Sequence, residues 1–406
     1  MSLARGKSPH PLQIAIACGG TGGHLFPGLA IADLLESWGH QAILILSEKA
    51  IDRQAADRVP HECMAFRSLG WQAGQRIRFL LLFPLILMKC VVWMLRRKPD
   101  AILAMGGFTS LAPCLAACLL RKPVFFHESN AIPGRAIRYL SKISRMGFVG
   151  FESALQALGP GSFMVSGTPV RRELRSLDRS ECCQQLGLDA SKPIILITGG
   201  SQGAMGVNQQ VVQALPEISR RLPEAQFIHL CGMHEDIEKL RFAYTQAGFK
   251  ALVFPFLEQM ELALGAATVA VGRSGASFIA EIVALGLPTL LIPFPHSADA
   301  HQQANAQTMA QSGAALTFEE ALMTPTLLTD ALCQLASDQQ LRHAMAQRLK
   351  HFDTPESAAC ILEHILHRLG HKPGDSPRQT KSGLANSLNM DPSSQIHSLQ
   401  PEVSPS

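Results

Sequence analysis

Ile14-Ala15-Ile16-Ala17-Cys18-Gly19-Gly20-Thr21-Gly22-Gly23-His24 decides the fold. The apolar run before the glycines suits a strand buried on both faces of a parallel sheet. The glycines make a tight turn, and a helix follows. Such a strand–turn–helix unit opens a doubly wound α/β domain. A ligand can come close to a glycine backbone, and a helix N-terminus favours negative charge. The spacing is not G-x-G-x-x-G, so the dinucleotide fingerprint fails. Glu48, at the end of the next strand, has the place of a ribose-binding acid and keeps an NAD-dependent dehydrogenase as a minor alternative. His24 stands where the helix begins. An imidazole there suits a general base, because it titrates near working pH.

The same unit recurs. Ile194-Ile195-Leu196-Ile197-Thr198 runs into Gly199-Gly200-Ser201-Gln202-Gly203-Ala204, with the two turns starting 180 residues apart at Gly19 and Gly199. Two doubly wound domains follow from that repeat. Further strands are expected at Ala42–Leu46, Ala101–Met105, Val124–His127 and Met164–Ser166, then at Gln226–Cys231, Ala251–Phe254, Val269–Gly272 and Thr289–Ile292. The switch between halves falls near Gly167-Thr168-Pro169. Residues 1–170 form the first domain and residues 171–353 the second. Residues 354–370 read as an amphipathic helix through Ala358, Ile361, Leu362, Ile365 and Leu369. Residues 371–406 are rich in Ser, Pro, Gln and Asn and read as a disordered tail.

Composition narrows the class. The chain has 406 residues, 47% of them hydrophobic, only 17% charged, and a net charge of +4. That balance gives no basic stripe for nucleic acid. It leaves room for attraction to an anionic membrane surface. Ten cysteines occur with no C-x-x-C pair, so zinc and redox motifs have no support, and the pattern suits a reducing compartment. The first residues carry no long apolar run, so a secretory signal is not expected.

Polar clusters stand where strands end. Met105-Gly106-Gly107-Phe108-Thr109-Ser110 is a second glycine loop, and with the third, from Gly199, suggests phosphate-bearing ligands. His127-Glu128-Ser129-Asn130 combines an imidazole, a carboxylate and an amide. In Arg273-Ser274-Gly275-Ala276-Ser277, either serine could cap the following helix, and Arg273 or the helix start could hold a phosphate. Glu281, one turn on, has the reach for two ribose hydroxyls. His296, Asp299 and His301 make a weak metal pattern; Gln302, Gln303 and Asn305 suit sugar hydroxyls better.

Phe79 to Leu95 is apolar almost throughout, with Arg76 and Arg78 before it and Arg96, Arg97 and Lys98 after it. Seventeen residues interrupted by Pro84 and Lys89 are short for a span. The stretch reads as a helix packed on the sheet that also presents an apolar, basic-rimmed face to a bilayer. Phe79, Leu82, Phe83, Ile86 and Trp93 are expected on that face.

GGTGGHLFPGLAIA, MGGFTS, HESNAIPG, GTPVR, GGSQGA, RSGASFIAEI and His296 to Ala306 occur in an order that resembles the peptidoglycan N-acetylglucosaminyltransferases of glycosyltransferase family 28. The resemblance covers roughly residues 12–369. It implies a GT-B fold, two Rossmann-like domains facing a cleft, with the last helix packing back on the first. It implies inverting transfer of N-acetylglucosamine from UDP-N-acetylglucosamine to the C4 hydroxyl of undecaprenyl-pyrophosphoryl-N-acetylmuramoyl-pentapeptide. It implies no required cofactor, with Mg2+ left open, and a peripheral place on the cytoplasmic face of the bacterial inner membrane among cell-wall synthesis and division proteins.

Residue by residue, the resemblance assigns Thr21, Gly22, Gly23, Asn130, Arg171, Ser201, Leu257 and Gln302 or Gln303 to the nucleotide-sugar. It adds the helix start Ala276, Ser277, Phe278, Ile279, Ala280 and Glu281. Gly106, Gly107 and Thr109 go to the acceptor pyrophosphate. His24 and Glu128 are the two candidates for the base. The chain departs from the family pattern at Leu111-Ala112-Pro113 and in its long tail. Rival readings are a transferase for another lipid, a UDP-N-acetylglucosamine 2-epimerase and a membrane scaffold.

Overall fold

The computed structural model describes residues 10–49, 52–53, 56–57, 59–66, 76–200, 203–233 and 235–371, with only the backbone of residues 76–80. Two parallel sheets organise it. In the first, β1 (Gln13–Ala17), β2 (Gln41–Ser47), β3 (Glu62–Phe66), β4 (Ala101–Ala104), β5 (Val124–Glu128), β6 (Met146–Val149) and β7 (Phe163–Val165) lie in the order β3-β2-β1-β4-β5-β6-β7. In the second, β8 (Ile194–Thr198), β9 (Gln226–Leu230), β10 (Lys250–Phe254), β11 (Val269–Gly272), β12 (Thr289–Leu291) and β13 (Leu316–Thr317) lie in the order β10-β9-β8-β11-β12-β13. Every paired strand runs parallel.

Strand order locates the cleft. The order of strand addition reverses between β1 and β4 in the first sheet and between β8 and β11 in the second. Open α/β sheets bind ligands at the carboxyl ends of the strands beside such a switch. The loops there are Gly19–Gly23, Gly106–Gly107, the described ends Gly199–Gly200 and Gly203–Ala204 of the third glycine loop, and Arg273–Gly275.

Three strands were not expected: β3, β6 and β13. β3 is a partly exposed edge strand, β6 has four residues including Gly147, and β13 has two. None offers a sustained apolar run, so periodicity alone does not mark them.

Helices cover both faces of each sheet. On one face of the first sheet, Ile14, Ile16, Leu44 and Leu103 meet Leu25, Ile31 and Leu35 of the helix Gly22–Ser37. Ile361, Leu362, Ile365 and Leu366 of the last helix, Ser357–Arg368, complete that layer. The chain thus crosses to the second sheet and returns to the first. The opposite face packs under the helix Arg76–Arg97.

That apolar helix corrects an expectation. Trp93 is 8% exposed and packs edge-on against Phe66, and Phe83 and Ile86 pack inward on the same core. Leu82 is half-buried, and the side chain of Phe79 lies outside the described residues. The outward stripe is instead Leu81, Leu85, Met88, Val92 and Leu95, at alternating steps of four and three. Those steps follow one face of an α-helix. An all-round apolar helix does not disclose which face the sheet takes. No described helix is long and apolar enough to cross a membrane.

Candidate active site

The first glycine loop and the second meet through His24. Its Nδ1 lies 3.1 Å from Thr21 Oγ1. Its ring lies against Gly106 and Gly107, whose φ angles are +111° and +71°. A β-carbon on Gly106 would stand 2.9 Å from His24 Nε2, so both conformation and space require glycine there. Thr109, on the same loop, is buried beside Gly20. Burial, then the neighbouring His301, pushes the His24 imidazole down to about 4, so the ring is neutral near pH 7.

Glu128 is placed differently. Its carboxylate accepts from the Asn130 backbone and side-chain amides at 2.9 and 2.8 Å, and from the Gly134 N–H at 2.8 Å. Three donors on a buried carboxylate tie down the loop 128–134, with two of them filling Oε1 and one on Oε2. Burial raises its pKa, and those same hydrogen bonds oppose the rise.

Asn305 joins that loop to the other domain. It is fully buried. Its Oδ1 accepts from the Ala131 N–H at 2.8 Å, while Nδ2 donates to Asn130 Oδ1 at 3.1 Å and to the Ser274 carbonyl at 3.0 Å. Nearby, Arg135 and Arg138 of the first domain both donate to Asp299 of the second. Asp299 and the next residue, Ala300, hold φ of +50° and +53°, an uncommon conformation for residues with a β-carbon. Asp299 therefore faces two guanidinium groups, and among the described residues no three side chains converge as a metal site.

The helix Ala276–Leu285 opens on Gly275 without any side-chain cap. Neither serine takes the capping role expected of it. Ser274 donates to the Gln302 carbonyl at 2.7 Å, and Ser277 donates to the Gly23 carbonyl across the cleft at 3.1 Å. The first-turn amides are left for another acceptor. Arg273 is occupied: it donates to Glu320 at 2.6 Å and to the carbonyls of Ile292 and Pro293. Ala276 and Ile279 are buried, Ala280 is half-buried, and Phe278 fills the space over Gly272.

The Glu281 carboxylate has no hydrogen-bond partner among the described residues, and burial pushes its carboxyl up to about 7 against the pull of Arg171. Arg171 pairs with Glu261 at 3.3 Å and stacks on Phe26 of the Gly22 helix. Leu257 packs half-buried beyond β10. Gln302 accepts from the Phe294 N–H at 2.9 Å; Gln303 donates to Glu319 at 3.2 Å. Ser201 lies outside the described residues.

One residue of the site has no sequence signature. Asp52 is fully buried beneath the first loop and accepts from the Gly20 N–H at 2.7 Å. Its distance from the motif hides it. The pairing of Arg135 and Arg138 with Asp299 is hidden for the same reason.

Comparison with known proteins agrees with this architecture. Residues 14–147 match the glycosyltransferase family 28 N-terminal domain, and residues 194–359 match the C-terminal domain of that family. A protein of Marinobacter nauticus named UDP-N-acetylglucosamine–N-acetylmuramyl-(pentapeptide) pyrophosphoryl-undecaprenol N-acetylglucosamine transferase is 34% identical over 87% of this chain and 97% of its own length. The crystal structure of Acinetobacter baumannii MurG superposes with a TM-score of 0.69 at 27% identity, over 88% of this chain and 100% of that one. A UDP-N-acetylglucosamine 2-epimerase structure superposes at 0.66 with 14% identity, over 90% of this chain and 99% of that one, a likeness of fold alone. The chain belongs to glycosyltransferase family 28.

Proposed function

We propose that this protein transfers N-acetylglucosamine from UDP-N-acetylglucosamine to undecaprenyl-pyrophosphoryl-N-acetylmuramoyl-pentapeptide, giving the lipid-linked disaccharide of peptidoglycan synthesis. The observation that carries this reading is the apposition of the two switch points. His24 and its glycine loops stand on one side of the cleft, the uncapped helix at Gly275 stands on the other, and Ser277 bridges to Gly23.

The uncapped amides at Ala276 and Ser277 receive the donor pyrophosphate, and Glu281 accepts from the ribose hydroxyls. Asn130, with Gln302 or Gln303, meets the sugar. The loop of Gly106, Gly107 and Thr109 meets the acceptor pyrophosphate beside His24. His24 acts as base. With Nδ1–H donating to Thr21, Nε2 carries the lone pair. The acceptor C4 hydroxyl loses its proton to Nε2 as its oxygen bonds the anomeric carbon. The bond from that carbon to the UDP oxygen breaks, and its electron pair leaves with UDP, beside the helix N-terminus. One displacement inverts the anomeric centre. Glu128 serves as the organiser of its loop.

The exposed stripe Leu81, Leu85, Met88, Val92 and Leu95, with Lys89, Arg96 and Lys98 exposed beside it, rests on an anionic bilayer. On this reading the enzyme works peripherally at the cytoplasmic face of the inner membrane. His24→Ala tests the mechanism. kcat falls ~100-fold or more with donor Kd unchanged, in the range of a lost general base. Near-normal turnover with unchanged affinity would remove His24 from the role.

A further inference from the structure

Asp52 has a geometry that substrate binding does not explain. One oxygen, Oδ2, takes three hydrogen bonds: from the Gly20 N–H at 2.7 Å, the Ser47 N–H at 2.8 Å and the Ser47 hydroxyl at 2.5 Å. The other, Oδ1, is buried and makes none among the described residues. Gly19 fits only because it lacks a side chain, since a β-carbon would lie 2.7 Å from Oδ2 and 2.4 Å from the Ser47 nitrogen. The carboxylate thus pins the carboxyl ends of β1 and β2 to the first glycine turn.

A buried carboxylate is costly, and leaving one oxygen unpartnered makes it more so. A neutral acceptor would bind the same three donors more cheaply, so the charge itself has a use. The helix Gly22–Ser37 has no acidic residue in its first turn and no side-chain cap, and its positive end is where His24 stands. Burial, His301, Lys49 and His127 all disfavour the imidazolium, and Asp52 is the group that opposes them. Lys49 itself donates to the Gly20 carbonyl at 3.1 Å.

We propose that Asp52 is a positioning residue for the transfer reaction: its carboxylate fixes the Gly19–Gly23 turn, sets His24 against Gly106, and lends its negative charge to His24 during proton uptake. The last part rests on His24 being the base. The first two do not.

Steady-state kinetics of transfer between pH 3.5 and 9, a range that includes the titration of His24 near 4, test it with Asp52→Asn, Asp52→Ala and His24→Ala. The asparagine keeps an oxygen for the three donors and removes the charge. Its donor KM stays within about twofold, its plateau kcat falls ~3–10-fold, and the acid limb of its profile moves to lower pH, because the imidazole protonates later. Asp52→Ala loses the turn as well, and kcat falls ~100-fold with a raised donor KM. An Asp52→Asn profile superposable on wild type overturns the charge role. Full activity of Asp52→Ala overturns the positioning role. If Asp52→Ala does not fold, the Asp52→Asn profile decides. A near-normal His24→Ala sinks the base assignment instead, and leaves the Asp52→Ala comparison to judge the turn.

Discussion

The hydroxyl of Ser277 in the second domain donates to the carbonyl of Gly23 in the first, at 3.1 Å. It joins the helix start proposed to hold the donor phosphates to the turn that carries His24. Removing it with Ser277→Ala costs one hydrogen bond of about 1 kcal/mol. Donor KM rises ~3–10-fold while thermal stability barely changes, as kinetics and calorimetry can read. An unchanged KM would mean that the bridge does not help close the cleft.

Glu281 gives donor binding a pH signature. Burial, partly offset by Arg171, pushes its carboxyl up to about 7. The ionised form accepts both ribose hydroxyls, so donor affinity increases from pH 6 to pH 8. Glu281→Gln weakens donor binding ~10–100-fold and flattens that dependence. Calorimetric titration with UDP across this range checks it, and an equally steep dependence in the variant would contradict the assignment.

The two faces of the helix Arg76–Arg97 separate membrane contact from folding. Leu81→Glu/Leu85→Glu leaves the core intact and abolishes flotation with phosphatidylglycerol vesicles. Turnover on a water-soluble acceptor persists. Trp93→Ala opens the core against Phe66 and costs ~3–5 kcal/mol in urea unfolding. Flotation unaffected by the double substitution would contradict the outward stripe.

Buried histidines set the pH range of stability. Burial pushes His127 and His229 down to about 4 and about 3. The unfolded chain protonates first, near pH 6.5, so their stabilisation is complete above that value and is lost as pH falls toward 4. His61 runs the other way. Burial pulls its pKa down, but contacts with Asp33 at 2.7 Å and Glu36 at 3.0 Å outweigh that and raise it. Its contribution is present below about 6.5 and fades as pH rises through its folded value. Urea midpoints should therefore drop steeply between pH 6.5 and 4, and His61→Gln should cost more at pH 6 than at pH 8.5. A flat midpoint through the acid range would contradict the first expectation.

The sequence revealed most of the frame and less of its wiring. β1, β8 and the glycine turns were legible because a strand buried on both faces needs an unbroken apolar run and a close-approach turn needs glycine. Asp52, and the pairing of Arg135 and Arg138 with Asp299, were not. Each matters through a partner far along the chain, and nothing local marks such a pair. Trp93 shows a third limit. Composition indicated an apolar helix, and only packing decided that Trp93 turns to Phe66 while Leu81 and Leu85 turn to solvent.

The most direct measurement offers the protein labelled UDP-N-acetylglucosamine with a synthetic polyprenyl-pyrophosphoryl-N-acetylmuramoyl-pentapeptide, and in parallel with diacylglycerol. A labelled lipid-linked disaccharide from the first acceptor alone, released with one equivalent of UDP, is the expected result. Label on diacylglycerol, or epimerised donor with no lipid product, would contradict the account.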